Sequence, residues 1–301
     1  MDILEIIARN QANLKPIIPS HDEIQAANPN IGSGQLSRPE NIRALVLDIY
    51  GTLVISGTGD ISLSEDTSAG HSRLQALNDR WSLRISAHRL PSLLQEAVGK
   101  DHEQKKALGI PYPEVEILQL WRSLLADIWA DPAPETPTQA DLELFATDYE
   151  TLVNPVSPMP GLKAFLQWIQ EREFITGIIS NAQFYTPFLF PAFTGKTLEE
   201  WGFLPENLTF SYRHARGKPD TWLYTHARKA LENQGIHPDQ VLYVGNDMLK
   251  DCWAAAQVGF QTLLFAGDKR SLRLHQSDPR TRDLVPQGIV RNLDDIVSLF
   301  Q

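Results

Sequence analysis

The apolar run Ala44-Leu45-Val46-Leu47 stops at a carboxylate, Asp48, and breaks at once into Ile49-Tyr50-Gly51-Thr52-Leu53. An unbroken apolar run of this length suits a strand buried on both faces, the condition of a strand inside a parallel sheet. A glycine turn directly after it delivers the carboxylate to the carboxyl edge of the sheet, where open α/β folds bind ligands. Later segments follow the same logic. Ile178-Ile179 runs into Ser180-Asn181, Lys218-Pro219-Asp220 puts a cation at a helix start, and Tyr243-Val244-Gly245 runs into Asn246-Asp247, with Asp251 further on.

The rest of the chain is punctuated to match. From Pro160 the pattern alternates: helix 160–171, strand 174–180, strand 208–212, helix 219–234, strand 241–246, helix 251–258, strand 260–265, a last strand near Ile289-Val290, and a helix from Leu293 to Phe300. This alternation specifies an α/β fold with a doubly wound, Rossmann-like parallel sheet. After Asp48, Thr52 to Ser56, the turn Gly57-Thr58-Gly59-Asp60 and the run Ile61-Ser62-Leu63 read as a short hairpin. A long helical pattern follows. Its first stretch holds Trp81, Ile85 and His88 to Leu94, and its second starts at Pro113 with the stripe Ile117, Leu120, Trp121, Leu124, Leu125 and Ile128. A third follows the proline-rich break at 132–137. At the other end Ile3, Leu4, Ile7 and Leu14 keep roughly helical spacing, after which Pro16, Pro19, Pro29 and Gly32-Ser33-Gly34 break regular structure until Ile42. The expected divisions are an N-terminal helical arm and linker (1–41), a core (42–60 and 158–301) and a helical insertion (61–157).

Composition narrows the partners. The 301 residues are 42% apolar, ample for a buried core, and 27 basic against 37 acidic residues give a net charge of −10. That balance argues against a general nucleic-acid or anionic-membrane binder, yet allows a local basic pocket for a small anionic substrate. A single cysteine, Cys252, permits no intrachain disulfide and suits a reducing interior. No apolar run approaches the roughly 20 residues of a membrane helix, and the start Met1-Asp2-Ile3-Leu4-Glu5 lacks a basic region. A cytoplasmic protein is expected.

The segments around Asp48, Ser180, Lys218 and Asp247 resemble, in order, the four motifs of the haloacid dehalogenase-like (HAD) hydrolase superfamily. The resemblance implies a Rossmann-type core with the helical insertion as a cap over the active site. It implies Asp48 as a nucleophile that forms a covalent aspartyl intermediate. Ser180 and the backbone N–H groups around Asn181 and Ala182 would bind oxygens of the transferring group, Lys218 would balance the developing charge, and Thr52 would assist by hydrogen bonding. Asp48, Asp247 and Asp251, brought together, need a compensating cation. Mg²⁺ fits, held by the Asp48 carboxylate, the Tyr50 backbone carbonyl and Asp247, with Asp251 in support.

Two departures from the family pattern bear on the reaction. Tyr50 stands where phosphatases of the superfamily place a second aspartate as general acid and base, and Asn246 stands where most Mg²⁺-dependent members carry aspartate. Asp48-Ile49-Tyr50-Gly51-Thr52 resembles the first motif of the 2-haloacid dehalogenase branch, whose halide leaving group needs no proton, and Tyr224 also fits that branch. Against it stand Gly245-Asn246-Asp247 and Asp251, since dehalogenases use a metal-free Ser-x-Asn arrangement there. They also need an arginine from the insertion, for which Arg73, Arg80, Arg84 and Arg89 are candidates. The first reading is a Mg²⁺-dependent phosphatase acting on a small phosphorylated metabolite; the second is a 2-haloacid dehalogenase; the third is a catalytically weak HAD-like binding or regulatory protein. The cations of Gly267 to Arg273 emerge at the same sheet edge as Asp48, and Glu114, Glu116 and Arg122 are insertion charges with a possible part in specificity.

Overall fold

The computed structural model describes residues 2–27, 39–58, 68–129 and 137–301. Its strands are β1 (Ala44–Leu47), β2 (Val54–Ser56), β3 (Val156–Pro158), β4 (Ile175–Ser180), β5 (Leu208–Phe210), β6 (Val241–Gly245), β7 (Gln261–Phe265) and β8 (Gly288–Val290). Six of them form one parallel sheet in the order β5-β4-β1-β6-β7-β8. Strand β1 lies between β4 and β6 along its whole length, with Leu47 opposite Ile178 on one side and Val244 on the other. The strand order reverses beside it, so the end of β1 is a topological switch point where the crossovers part and leave a crevice.

The helices are α1 (Ile3–Asn10), α2 (His21–Ala27), α3 (Ser68–Arg80), α4 (Leu90–Ala107), α5 (Ile117–Ile128), α6 (Gln139–Val153), α7 (Leu162–Glu171), α8 (Leu189–Thr194), α9 (Thr221–Glu232), α10 (Ala254–Ala256) and α11 (Leu293–Ser298). Alternate residues of β1 face opposite layers, as strand geometry requires. Leu45 and Leu47 pack with Phe165, Phe190 and Ile296. Ala44 and Val46 pack with Leu223, Ala227 and Ala254. Helices therefore cover both faces of the sheet, which is why its strands read as continuous apolar runs.

Several elements differ from the sequence expectation. Strand β2 pairs antiparallel with β3, Val54 opposite Pro158 and Ser56 opposite Val156, so the chain's exit toward the insertion and its return lie side by side. The rest of the expected hairpin, Gly59-Asp60 and Ile61 to Leu63, lies outside the described residues. Before α10 the chain makes a π-helical turn, Met248–Trp253, because Asp247 caps it by accepting from the N–H groups of Leu249 and Lys250. Past Pro19 the chain forms α2 instead of continuing as irregular linker, with Asp22 and Glu23 in its first turn where the helix dipole favours them.

The helices α3 to α6 share an apolar cluster around Leu77, Trp121, Leu125 and Phe145. Trp121 meets Phe145 and Tyr149 edge-on with ring centroids 4.8 Å apart in both pairs, which fixes the rotation of α6. Helix α1 docks through Ile6 and Ile7 against α6 and α8. Arg9 and Arg80 both pair with the buried carboxylate of Asp148 on α6, the Arg9 contact being 2.6 Å. The arm then runs along β3, where the Ser157 hydroxyl donates to the Ala12 carbonyl and accepts from the Leu14 N–H. It ends against the loop after β7, with Lys269 donating to the Ile17 carbonyl and ion-paired to Glu23 at 2.6 Å.

Candidate active site

Asp48 still belongs to the sheet ladder, its N–H donating to the Val244 carbonyl at 3.0 Å, and the chain then reverses. The Ile49 carbonyl accepts from Leu53 and Val54, each at 2.9 Å, which closes the turn. Gly51 has φ +86°, and a Cβ there would lie 2.5 Å from Ser271 and 2.6 Å from the Asn246 amide. Only glycine meets both demands.

Lys218 is the hub. Its ammonium lies 2.8 Å from Asp48 Oδ1 and 2.5 Å from Asp251 Oδ1, with all three side chains almost completely buried. Burial pushes the Lys218 pKa down, but the two carboxylates outweigh it and hold the ammonium protonated well above the usual range. Asn181 accepts from the Lys218 N–H at 2.6 Å, so this amide positions the lysine loop. The Tyr112 carbonyl steadies the same loop by accepting from Gly217 at 2.7 Å.

The expected anion-binding groups of the second motif are placed differently. Ser180 is fully buried at the strand end and is not among the residues that line the cavity. The Ala182 N–H already donates to Ser211 Oγ at 2.9 Å. Among the named groups of this motif, Asn181 and Ala182 do reach the cavity wall.

Asp251, expected among the metal-holding residues, is fully engaged. Its Oδ1 meets Lys218 and the Tyr243 hydroxyl at 2.9 Å, and its Oδ2 accepts from the Asp247 N–H at 2.9 Å. It therefore orients Lys218 and the turn after β6, and it also lines the cavity. Asn246 is also fixed, accepting from Thr52 Oγ1 at 3.2 Å and donating to the Ser271 carbonyl at 2.6 Å. Asp247 pairs with His275, whose Nε2 lies 2.9 Å from Oδ1. Burial would raise the Asp247 pKa, yet the hydrogen bond and charge of His275 outweigh it and hold the carboxyl below its ordinary value. Among the described residues no group of three His, Cys, Asp or Glu side chains converges as a metal site. Asp48, Tyr50 and Asp247 all line the cavity, and Asp247 Oδ1 also accepts from the Leu249 and Lys250 N–H groups.

Above this floor lies a cavity of about 600 Å³ whose walls include Asp48, Lys218 and Asp247 from the sheet edge and Leu94, Tyr149 and Glu150 from the insertion. Tyr50 projects into it with its hydroxyl 2.9 Å from Thr186 Oγ1; burial raises the phenol pKa further, so it stays protonated. Tyr224 is buried beneath, donating to the Lys250 carbonyl at 2.5 Å. None of Arg73, Arg80, Arg84 and Arg89 lines the cavity, and Arg80 is bound to Asp148. Of the basic loop after β7, Arg273 reaches the wall, while Arg270 turns to Asp268 at 2.7 Å and Lys269 to Glu23.

Three residues escaped the sequence reading. Glu150 is buried in the last turns of α6, His275 sits on an irregular loop, and Tyr243 belongs to an ordinary strand run. Glu114 was visible only as an insertion charge; it is largely buried and bridges to the sheet edge, accepting from Ser211 at 2.7 Å and Gln183 at 3.1 Å. A glutamate inside a helix is ordinarily a surface residue, so Glu150 gave no local signal.

Residues 42–259, most of the chain, match the family model of haloacid dehalogenase-like hydrolases. The chain belongs to this family. An L-2-haloacid dehalogenase is similar in structure at 17% identity, with 86% of this chain and 98% of that chain covered and a TM-score of 0.53. A 2-haloacid dehalogenase from Pseudomonas syringae pv. Tomato DC3000 matches at 15% identity, 86% and 98% coverage and TM-score 0.51. A predicted phosphoglycolate phosphatase from Haemophilus somnus 129pt matches at 17% identity, 87% and 99% coverage and TM-score 0.47. At these identities the likeness is one of fold. No curated protein matches this HAD-like hydrolase by sequence.

Proposed function

We propose that this HAD-like hydrolase cleaves phosphate monoesters of a small metabolite, with Asp48 as nucleophile and the insertion, residues 61–157, acting as a cap over a core of 42–60 and 158–301. The observation that carries the reading is the cavity floor: a buried carboxylate held by Lys218 at 2.8 Å, with Asp247 in the same wall. Asp48 attacks phosphorus, and Lys218 offsets charge as it shifts onto the transferring group. Asp251 and Asn181 keep the ammonium in place. Mg²⁺, held by Asp48, the Tyr50 carbonyl and Asp247, would neutralise phosphoryl oxygens when bound.

The deciding experiment is a panel of phosphate esters and 2-haloacids, assayed for phosphate and halide with Mg²⁺ and with chelator. Phosphate release that needs Mg²⁺ supports the reading. Halide release that survives chelator would replace it with the dehalogenase reading, which Tyr50 favours because a phenol held this firmly protonated is a poor base. No turnover on either class would leave a binding or regulatory protein.

A further inference from the structure

We infer that Glu150, on helix α6 of the insertion, is the general acid and base of this site, taking the part that Tyr50 cannot play. The inference rests on the phosphatase reading. Glu150 and Asp48 line the same cavity, one from the insertion and one from the sheet edge. The charges of Glu150 and Asp48 both act on the Tyr50 phenol, which lines the same cavity.

The surroundings of Glu150 are those of a proton carrier. Its side chain is hydrogen-bonded to Asn154 on its own helix and to Tyr185, which follows β4. Both partners are neutral. The titratable and charged groups around it are Tyr149 on α6, Tyr185, and Tyr50 with Asp48 beyond, and none of them supplies a positive charge. Lys218 is already shared between Asp48 and Asp251, and the other cations of the cavity wall, Lys106, Lys250 and Arg273, are not among the influences on the Glu150 carboxyl. Burial therefore pushes the Glu150 carboxyl up to about 7. A purely structural side chain here would be served by glutamine, which bonds the same neighbours without the cost of a buried charge.

The steps balance. Asp48 attacks phosphorus, the phosphorus–oxygen bond to the alcohol breaks, and the Glu150 proton passes to the departing oxygen, leaving aspartyl phosphate, free alcohol and a Glu150 carboxylate. That carboxylate then takes a proton from water as the water oxygen attacks phosphorus. The bond to Asp48 breaks, phosphate leaves, and Glu150 is again protonated.

The test compares Glu150→Gln with wild type on p-nitrophenyl phosphate and on glycerol phosphate, with Mg²⁺. Nitrophenolate departs without a proton, whereas an alkoxide does not. The variant should lose about 10²- to 10⁴-fold on glycerol phosphate, yet still release one enzyme equivalent of nitrophenolate in a burst, because only the second step then lacks its base. In wild type, turnover of glycerol phosphate should fall as pH rises through about 7, where Glu150 loses its proton, while the nitrophenolate burst rate stays flat. This second measurement needs no variant. Equal losses on both esters with no burst, unchanged turnover in the variant, or identical pH profiles would overturn the role of Glu150 and leave the phosphatase reading standing. No phosphate release by the wild type from either ester would overturn both.

Discussion

One ammonium serves two carboxylates at Lys218, so the two acids are unequal under mutation. Asp48→Asn removes the nucleophile and should lower turnover by more than about a thousandfold. The fold should survive, because Asp251 still neutralises the buried lysine at 2.5 Å; circular dichroism and a melting curve check this against the rate. Tyr50 makes the opposite case. Its hydroxyl bonds Thr186 and is held protonated, so Tyr50→Phe should cost about 1 kcal/mol of stability in urea titration and leave turnover within a few-fold. A large loss of turnover with stability intact would mean the phenol itself handles the proton.

At the scale of elements, the joint between α1, α3 and α6 is the one most exposed to acid. Burial would raise the Asp148 pKa, but the hydrogen bonds from Trp81, Asn10 and Arg80 and the charge of Arg9 outweigh it and hold the carboxyl low. A depressed folded pKa adds stability above the unfolded value of about 3.9, and this is lost as pH falls through the folded one. Asp148→Asn should therefore cost roughly 3 kcal/mol at neutral pH and flatten the decline of melting temperature between about pH 5 and 3. The sheet was legible because each of its strands is an apolar run, and the floor of the site because those runs end in polar groups. The pairing of β2 with β3 was not, since Ser56 and Val156 are far apart in sequence and only the fold brings them opposite. Nor was the wall of the site: Glu150 acquires its meaning from Tyr185 and Tyr50, residues of other elements. Ser180 shows the converse, a residue expected at a strand end and found there, yet buried and not among those that line the cavity.

For the whole molecule, a net charge of −10 and a knot of acids at the sheet edge make a bound cation a source of stability. Mg²⁺ at a hundred times its dissociation constant should add about 2.7 kcal/mol, read as a rise in melting temperature that chelator reverses. Asp247→Ala should abolish that rise. The amino-terminal arm bears on turnover in a different way. It grips α6 through Arg9, runs along β3 at Ser157, and ends on the loop of Lys269 that borders the cavity. Strand β3, by which the chain returns from the insertion, is thus braced by the arm. A chain end that ties α6, β3 and the rim of the cavity to one another makes the first residues of the chain part of what keeps the chamber in shape.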